Sequence, residues 1–177
     1  MISLKFRLAF CGLIAISTLR GQPGSLPALN LRDLDGRTLT WEMLLGRGPV
    51  LVDFWALWCA PCLKALPHLN ELQQQYQEQG LTVLLVNIDS ENSRSKVRRY
   101  IRSRNYRFTV AHDPTQELLR RMSGRTLPYT LLVSTTGRIT YRHTGFMPGD
   151  DQRLAEEVAA LIPYSPTDSL ETQQQPE

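Results

Sequence analysis

The chain has 177 residues, of which 42% are hydrophobic, 21% charged and 8% aromatic, and its formal net charge is +3. This ordinary globular composition excludes a collagen, a coiled coil and a chain that is disordered throughout. The length suits about one domain, and the small net charge gives no reason to expect nucleic acid as an obligate partner. Three cysteines are too few for a disulfide scaffold, so their positions carry the information.

The first 21 residues are typical of a secretory signal. A basic start precedes an uncharged run from Leu8 to Leu19. As a helix this run would be about 18 Å long, whereas a hydrocarbon core is about 30 Å thick, which disfavours a transmembrane helix. We therefore expect export with cleavage between Ser17 and Gln22; the alternatives are a short uncleaved anchor and a frayed cytosolic tail. Cys11 lies in the apolar run and would be lost with the signal.

Apolar periodicity and turn residues predict alternating strands and helices in the middle of the chain. The elements predicted in chain order are a leading hairpin of strands at 29–31 and 38–40, a strand at 50–55, a helix at 61–80, a strand at 81–88, a helix at 92–104, a strand at 107–111, a short helix after Asp113-Pro114, strands at 129–133 and 138–141, and a helix at 150–162. Pro67 is expected to kink the first helix. Asp113 and Pro114 are expected to cap and begin the third. This order predicts an α/β sandwich with a mixed sheet.

The last fifteen residues, 163–177, are rich in Pro, Ser, Thr and Gln and nearly free of apolar side chains. Such a segment cannot offset its own ordering entropy, so we predict a disordered tail. The folded domain is expected to span residues 22–162.

The motif Trp58-Cys59-Ala60-Pro61-Cys62 follows a predicted buried strand and opens a predicted helix. Unpaired N–H groups and the helix dipole favour an anion at this point, so the thiolate of Cys59 is stabilised and its pKa is lowered. Cys62, one turn further on, can then resolve a mixed disulfide. The order of strand, motif and helix indicates a redox-active pair.

Two structural interpretations of the cysteine pair are weaker. A zinc site would need further ligands, but the mature chain has no other cysteine and its three histidines are scattered. A purely structural disulfide that closes so short a loop gains little loop entropy.

The segment 52–62, VDFWALWCAPC, resembles the active site of thioredoxins, and residues 124–133, GRTLPYTLLV, resemble their cis-proline strand. The leading hairpin and the extra segment 90–123 are similar to those of exported TlpA/ResA-type oxidoreductases. The resemblance covers about residues 26–162. It implies a thioredoxin-like α/β fold, with a mixed central sheet flanked by helices, an N-terminal hairpin and a central insertion, and it implies thiol–disulfide exchange.

The resemblance also implies catalytic roles at matching positions. Cys59 would be the nucleophile and Cys62 the resolving thiol. Asp53 would be the buried acid that accepts the proton of Cys62 through a water, since burial raises the pKa of a carboxyl group; the alternative is a hydrogen-bonded polar residue without that role. Pro128 would be the cis-proline beside the disulfide, the alternative being a trans-proline at the start of a strand.

Substrate-binding roles follow from the same resemblance. Leu127 would pair its backbone groups with an extended substrate. Trp58, together with the exposed motif residues Ala60 and Pro61, would offer an apolar contact, although packing alone could also explain the tryptophan.

Two positions depart from the family pattern. Leu85 stands where thioredoxins place a lysine near the buried acid, so the pKa of Asp53 is expected to be raised further. Ala65 stands where many TlpA/ResA-type proteins carry a glutamate that is linked to cytochrome c maturation, which weakens that specific assignment.

The basic segment 94–107 carries seven arginines and lysines and no acid. Its functional interpretation is weak association with anionic lipid headgroups or contact with an acidic partner. We favour the alternative, a solvated helix face.

The leading hypothesis is therefore a periplasmic or otherwise extracytoplasmic thiol–disulfide oxidoreductase. Its partners would be cysteine-containing extracytoplasmic proteins, among them apocytochromes, and a membrane-bound thiol donor of electrons. The Cys59–Cys62 disulfide is itself the redox group, so no organic cofactor or metal is expected, and a monomer is the default. Two alternatives remain at this point: a Cu(I)-delivery protein that binds through both thiolates, and a peroxiredoxin-like peroxidase.

Overall fold

The computed structural model describes residues 26–162. The predicted signal at 1–21 and the predicted tail at 163–177 lie outside the described residues. The strands are β1 Leu31–Asp33, β2 Thr38–Leu39, β3 Val50–Trp55, β4 Thr82–Asn87, β5 Thr109–His112, β6 Tyr129–Val133 and β7 Ile139–Thr144. The helices are α1 Trp41–Leu45, α2 Ala60–Tyr76, α3 Arg94–Ser103, α4 Glu117–Arg121 and α5 Asp150–Leu161.

The strands form one mixed sheet in the order β2-β1-β5-β4-β3-β6-β7. The central strands β3, β4 and β5 are parallel, while β1, β2, β6 and β7 pair antiparallel with their neighbours. The predicted mixed sheet, leading hairpin and central insertion are confirmed. The insertion places β5 inside the sheet, between β4 and the leading hairpin, so it extends the central layer.

Every residue of β3 and β4 is buried. Strands covered on both faces read as continuous apolar runs, which is why these two elements were predictable almost to the residue. The apolar face of α2 packs Leu66, Leu69 and Leu72 into the core. The helix is continuous through Pro67.

Two local predictions were wrong. The short helix α4 begins at Glu117 and not at Pro114, because Gln116 takes a left-handed backbone (φ 57). The carboxylate of Asp113 still caps this turn, since it accepts the N–H groups of Glu117 (2.9 Å) and Leu119 (3.2 Å).

The helix α1 was missed. The predicted strand 38–40 includes Thr40, but the hydroxyl of Thr40 caps α1 by accepting the N–H of Met43 at 3.3 Å. A helix of five residues is too short to show a reliable apolar period.

Candidate active site

The two cysteines of the motif lie at the beginning of α2 and are joined as a disulfide, with a Cα–Cα distance of 5.2 Å. Cys59 is the N-cap residue of the helix, and its Sγ accepts the N–H of Cys62 at 3.3 Å. Cys59 is 5% exposed and Cys62 is fully buried. A thiolate released at Cys59 would therefore face the positive end of the helix dipole, while Cys62 has no surface exposed to solvent.

The position of this helix follows from the strand before it. β3 ends at Trp55, and the N–H of Cys59 donates to the carbonyl of Ala56 at 3.1 Å, which closes a turn between strand and helix. Pro61 occupies an early helical position, where its missing N–H costs nothing.

The second wall of the site comes from the start of β6. Tyr129 pairs with Phe54 in the antiparallel register of β6 and β3, so the preceding Leu127 and Pro128 lie at the end of β3 where the cysteine loop begins. The Leu127–Pro128 peptide bond is cis. The carbonyl of Pro128 accepts the N–H of Gly145 at 2.8 Å, and this bond ties the end of β7 to the same edge.

Exposed apolar surface surrounds the disulfide. The side chain of Trp58 is 68% exposed, which is unusual for a residue that could pack against a core. Ala60 and Pro61 are also exposed, and Leu127 is half-buried. An exposed aromatic ring beside a reactive disulfide is suited to contact with another polypeptide.

Asp53 is completely buried in the middle of β3. The hydroxyl of Thr130 donates to its Oδ1 at 2.7 Å, and its Oδ2 has no hydrogen-bond partner within the described residues. Burial raises the pKa of Asp53 to about 7, against a smaller lowering by the Thr130 hydrogen bond. The residue paired with Asp53 on β4 is Leu85, so the register neighbour is apolar and not a cation.

Ala65, on α2, is 4% exposed. It lines, together with Thr130 and Tyr141, a cavity of about 20 Å³ between α2, α5 and the β6–β7 hairpin. A volume of this size holds about one water. Ala65, which stands at the position of the glutamate named above, therefore lines the same small space as Thr130, whose hydroxyl binds Asp53.

Sequence reasoning missed Thr130 and a buried polar group at the carboxyl ends of β4 and β5. The latter consists of Asn87, Asp89 and His112, all at most 6% exposed. Asp89 accepts the N–H of Leu57, in the loop that leads to Cys59, at 2.8 Å. One pattern could have revealed this group, because polar residues that follow buried parallel strands gather at one edge of the sheet.

Only some side chains of the basic segment 94–107 make contacts with the rest of the fold. Arg94 bonds to the carboxylate of Glu91 and to the carbonyl of Asp33, and Arg98 bonds to the carbonyl of Leu34. The remaining basic side chains of the segment are exposed: Lys96, Arg99, Arg102, Arg104 and Arg107. Lys96, Arg99 and Arg102 lie on α3, which buries Val97 and Ile101, and Arg104 and Arg107 follow the helix.

Within residues 26–162, no helix is long and apolar enough to cross a bilayer. The same residues contain no group of three or more His, Cys, Asp or Glu side chains that could hold a metal ion.

Comparison with known proteins agrees with this geometry. A family model described as Redoxin matches residues 21–159. The thiol-disulfide oxidoreductase ResA of Halalkalibacterium halodurans is 31% identical over 132 residues, which cover 75% of this chain and 72% of the relative. ResA of Bacillus subtilis is 28% identical over 142 residues, which cover 80% of this chain and 75% of the relative.

A solved structure shares the fold. The crystal structure of a protein described as a thiol:disulfide interchange protein DsbE, from Chlorobium tepidum, aligns with a TM-score of 0.71 at 28% identity and covers 78% of this chain and 96% of that one. Together with the disulfide at the start of α2, these likenesses show that the chain belongs to the Redoxin family and is a thiol–disulfide oxidoreductase.

Proposed function

We propose that this oxidoreductase reduces disulfides of proteins outside the cytoplasm and is itself kept reduced by a membrane-bound thiol donor. The observation that carries the proposal is the placement of the cysteine pair: Cys59 caps α2 beside the exposed Trp58, while Cys62 is buried behind it. An attacking thiol that a partner can reach, backed by a resolving thiol that it cannot reach, suits reduction of a protein disulfide in two steps.

The reaction begins with the Cys59 thiolate, which attacks one sulfur of the substrate disulfide and forms a mixed disulfide while the other substrate sulfur leaves as a thiolate. Cys62 then attacks the sulfur of Cys59, releases the second substrate thiolate and re-forms the Cys59–Cys62 disulfide. Two electrons pass to the substrate, and its two sulfurs take up two protons.

The proton of Cys62 must leave before or during the second attack. Asp53 is the buried group proposed to accept it through a water, and a pKa of about 7 suits transfer in both directions near neutral pH. Thr130 donates to Oδ1, and Oδ2 has no hydrogen-bond partner among residues 26–162, so Oδ2 can take up this proton.

Substrate would bind along the rim formed by Trp58, Ala60, Pro61 and Leu127. Leu127 is half-buried and precedes β6, and its backbone groups would pair with an extended substrate segment. The exposed ring of Trp58 would add apolar contact. Apocytochromes are one substrate class to test. Other exported proteins should be tested beside them, because Ala65 stands where the resemblance leads us to expect the glutamate that is linked to cytochrome c maturation.

The first experiment measures the reduction potential of the Cys59–Cys62 pair by equilibration with glutathione and thiol trapping. A value near or below about −220 mV supports a reductant, while a value near about −120 mV would make the protein an oxidant or isomerase. If no reversible pair titrates, the proposal fails.

Two cysteine variants test the proposed roles of Cys59 as attacking thiol and Cys62 as resolving thiol. Cys59→Ser should abolish reduction of a protein disulfide such as that of insulin. Cys62→Ser should accumulate a mixed disulfide with the substrate, visible by non-reducing electrophoresis. Accumulation in the Cys59→Ser protein instead would contradict the proposed order of attack.

Location is tested separately. Alkaline phosphatase fused after residue 162 becomes active only outside the cytoplasm, where its own disulfides form. We expect activity for the fusion that carries residues 1–162 and loss of activity when residues 1–21 are deleted from it. Equal activity of both fusions would contradict export by this segment.

A further inference from the structure

The carboxylate of Asp89 joins the loop of Cys59 to the end of β4. Its Oδ2 accepts two hydrogen bonds, from the N–H of Leu57 and from Nδ2 of Asn87, both at 2.8 Å. Leu57 lies two residues before Cys59. Asp89 is only 6% exposed, so water competes little for these two hydrogen bonds.

Asp89 is itself held in place from two sides. Its N–H donates to Oδ1 of Asn87 at 3.2 Å, and its carbonyl accepts Nε2 of His112 at 2.9 Å. The carbonyl of Asn87 accepts the N–H of Asp113 at 2.8 Å. Because Asn87 ends β4 and His112 ends β5, the carboxyl ends of the parallel strands form one hydrogen-bonded group behind the cysteine loop.

The bond to Leu57 bears on the chemistry of Cys59. The turn that carries Cys59 to the beginning of α2 starts at Ala56, where β3 has ended, and the N–H of Leu57 donates to the Asp89 side chain and not to a strand of the described sheet. Stabilisation of a thiolate by a helix terminus falls off within the first helical turn. A small displacement of the loop turn that carries Cys59 would therefore change how strongly α2 stabilises its thiolate. Loss of the acceptor for this partly buried N–H would also destabilise the turn.

We propose that Asp89 is a positioning residue, which fixes the turn 56–59 so that the Sγ of Cys59 stays aligned with the N-terminus of α2. The inference rests on the proposed function, in which Cys59 is the attacking thiol. It concerns a residue that does not touch substrate, and it assigns the effect to hydrogen bonding and not to the negative charge of Asp89.

The geometry allows these two effects to be separated. Both donors converge on one oxygen, so Asp89→Asn can keep both bonds through its amide oxygen while the charge is lost. Asp89→Ala loses both bonds together with the charge. Asp113→Ala is a matched control, because Asp113 is another buried carboxylate at this edge that accepts backbone N–H groups, but those of α4 and not of the cysteine loop.

The test uses the full chain and measures four quantities: the pH dependence of Cys59 alkylation by iodoacetamide in the reduced protein, the reduction potential, turnover with insulin, and the unfolding midpoint. Asp89→Ala should raise the pKa of Cys59 and slow turnover about tenfold or more, as expected for a misplaced reacting group. Asp89→Asn should stay within about twofold of wild type. Asp113→Ala should lower the unfolding midpoint and leave the alkylation profile unchanged.

Three outcomes would overturn the inference: an unchanged alkylation profile in Asp89→Ala, an equal change in Asp89→Asn, or an equal change in Asp113→Ala. If Asp89→Ala does not fold, Asn87→Ala removes one donor that anchors the carboxylate, and it should shift the profile in the same direction by a smaller amount; no shift would also overturn it. The alkylation experiment needs no protein substrate. If the wild-type cysteine pair titrates but reduces no protein disulfide, the proposed function fails, while the inference about Asp89 can still be tested by alkylation.

Discussion

The hydroxyl of Thr130 donates a hydrogen bond of 2.7 Å to the carboxyl group of Asp53 across the pairing of β6 with β3. On the other side of Asp53, the register of β3 and β4 places Leu85. In the described part of the chain, this fully buried acid has one hydrogen-bond donor to stabilise its charge, and burial removes the solvation that water would give. The two neighbours thus explain why burial dominates and the pKa is raised to about 7.

Replacement of this acid should change how stability depends on pH. Folded protein keeps the Asp53 proton up to about pH 7, whereas the unfolded chain releases it near the ordinary value of 3.8. The contribution of this proton to folding stability is therefore complete below pH 3.8 and is lost as pH rises through about 7. A tenfold change in a protonation equilibrium is worth about 1.36 kcal/mol, so the loss totals about 4 kcal/mol.

Asp53→Asn cannot lose this proton. Urea unfolding at a series of pH values from about 4 to 8 should therefore show the free energy of unfolding of wild type falling by about 4 kcal/mol relative to the variant. Asp35→Asn, at an exposed carboxylate in the β1–β2 turn, is the control and should follow wild type. Parallel curves for wild type and Asp53→Asn would show that Asp53 does not titrate in this range.

Removal of the Thr130 hydroxyl should shift the titration of Asp53 to higher pH. Thr130→Val keeps the shape of the side chain and deletes the donor that lowers the pKa of Asp53, so the pKa should rise. The rate at which Cys62 resolves a mixed disulfide should then reach half its maximum at a higher pH than in wild type. Thr140→Val, which removes a hydroxyl bonded to the carbonyl of Leu132, should leave this profile in place; a coincident shift there would implicate general loosening of the hairpin.

The exposed ring of Trp58 leads to a prediction about substrate affinity. Trp58→Ala should raise KM for insulin several-fold and leave kcat and the unfolding midpoint nearly unchanged, because an exposed ring adds to partner contact and little to the core. Met43→Ala is a matched control, since Met43 is 59% exposed and Trp58 68%, but Met43 lies on α1. Equal KM values for both variants and wild type would exclude a binding role for the ring.

The sequence was most informative where one local rule decided the structure. The apolar runs of β3 and β4 and the strand–motif–helix order around Cys59 predicted those elements and the chemistry of the pair. It was least informative where a contact joins distant segments. Thr130 meets Asp53 at a separation of 77 residues and Leu57 meets Asp89 at 32, and only the sheet register, which periodicity does not specify, brings these partners together.

The close approach of Gly48 and Gly80 gives a prediction about stability without loss of chemistry. A Cβ built on Gly80 would lie 2.1 Å from the carbonyl oxygen of Arg47, and the backbone of Gly80 is left-handed (φ +95). Gly36 has nearly the same backbone (φ +87) but nothing within 4 Å of its Cβ position. Gly36→Ala should therefore cost only the left-handed conformation, about 1 kcal/mol.

Gly80→Ala should cost that amount and about 1–3 kcal/mol more, because backbone atoms must move to admit the methyl group. Urea unfolding of the two variants measures the difference, and equal losses would contradict the close contact. The reduction potential of Gly80→Ala should match wild type, since Gly48 and Gly80 precede β3 and β4 and thus lie at the amino ends of these parallel strands, whereas Cys59 follows the carboxyl end of β3.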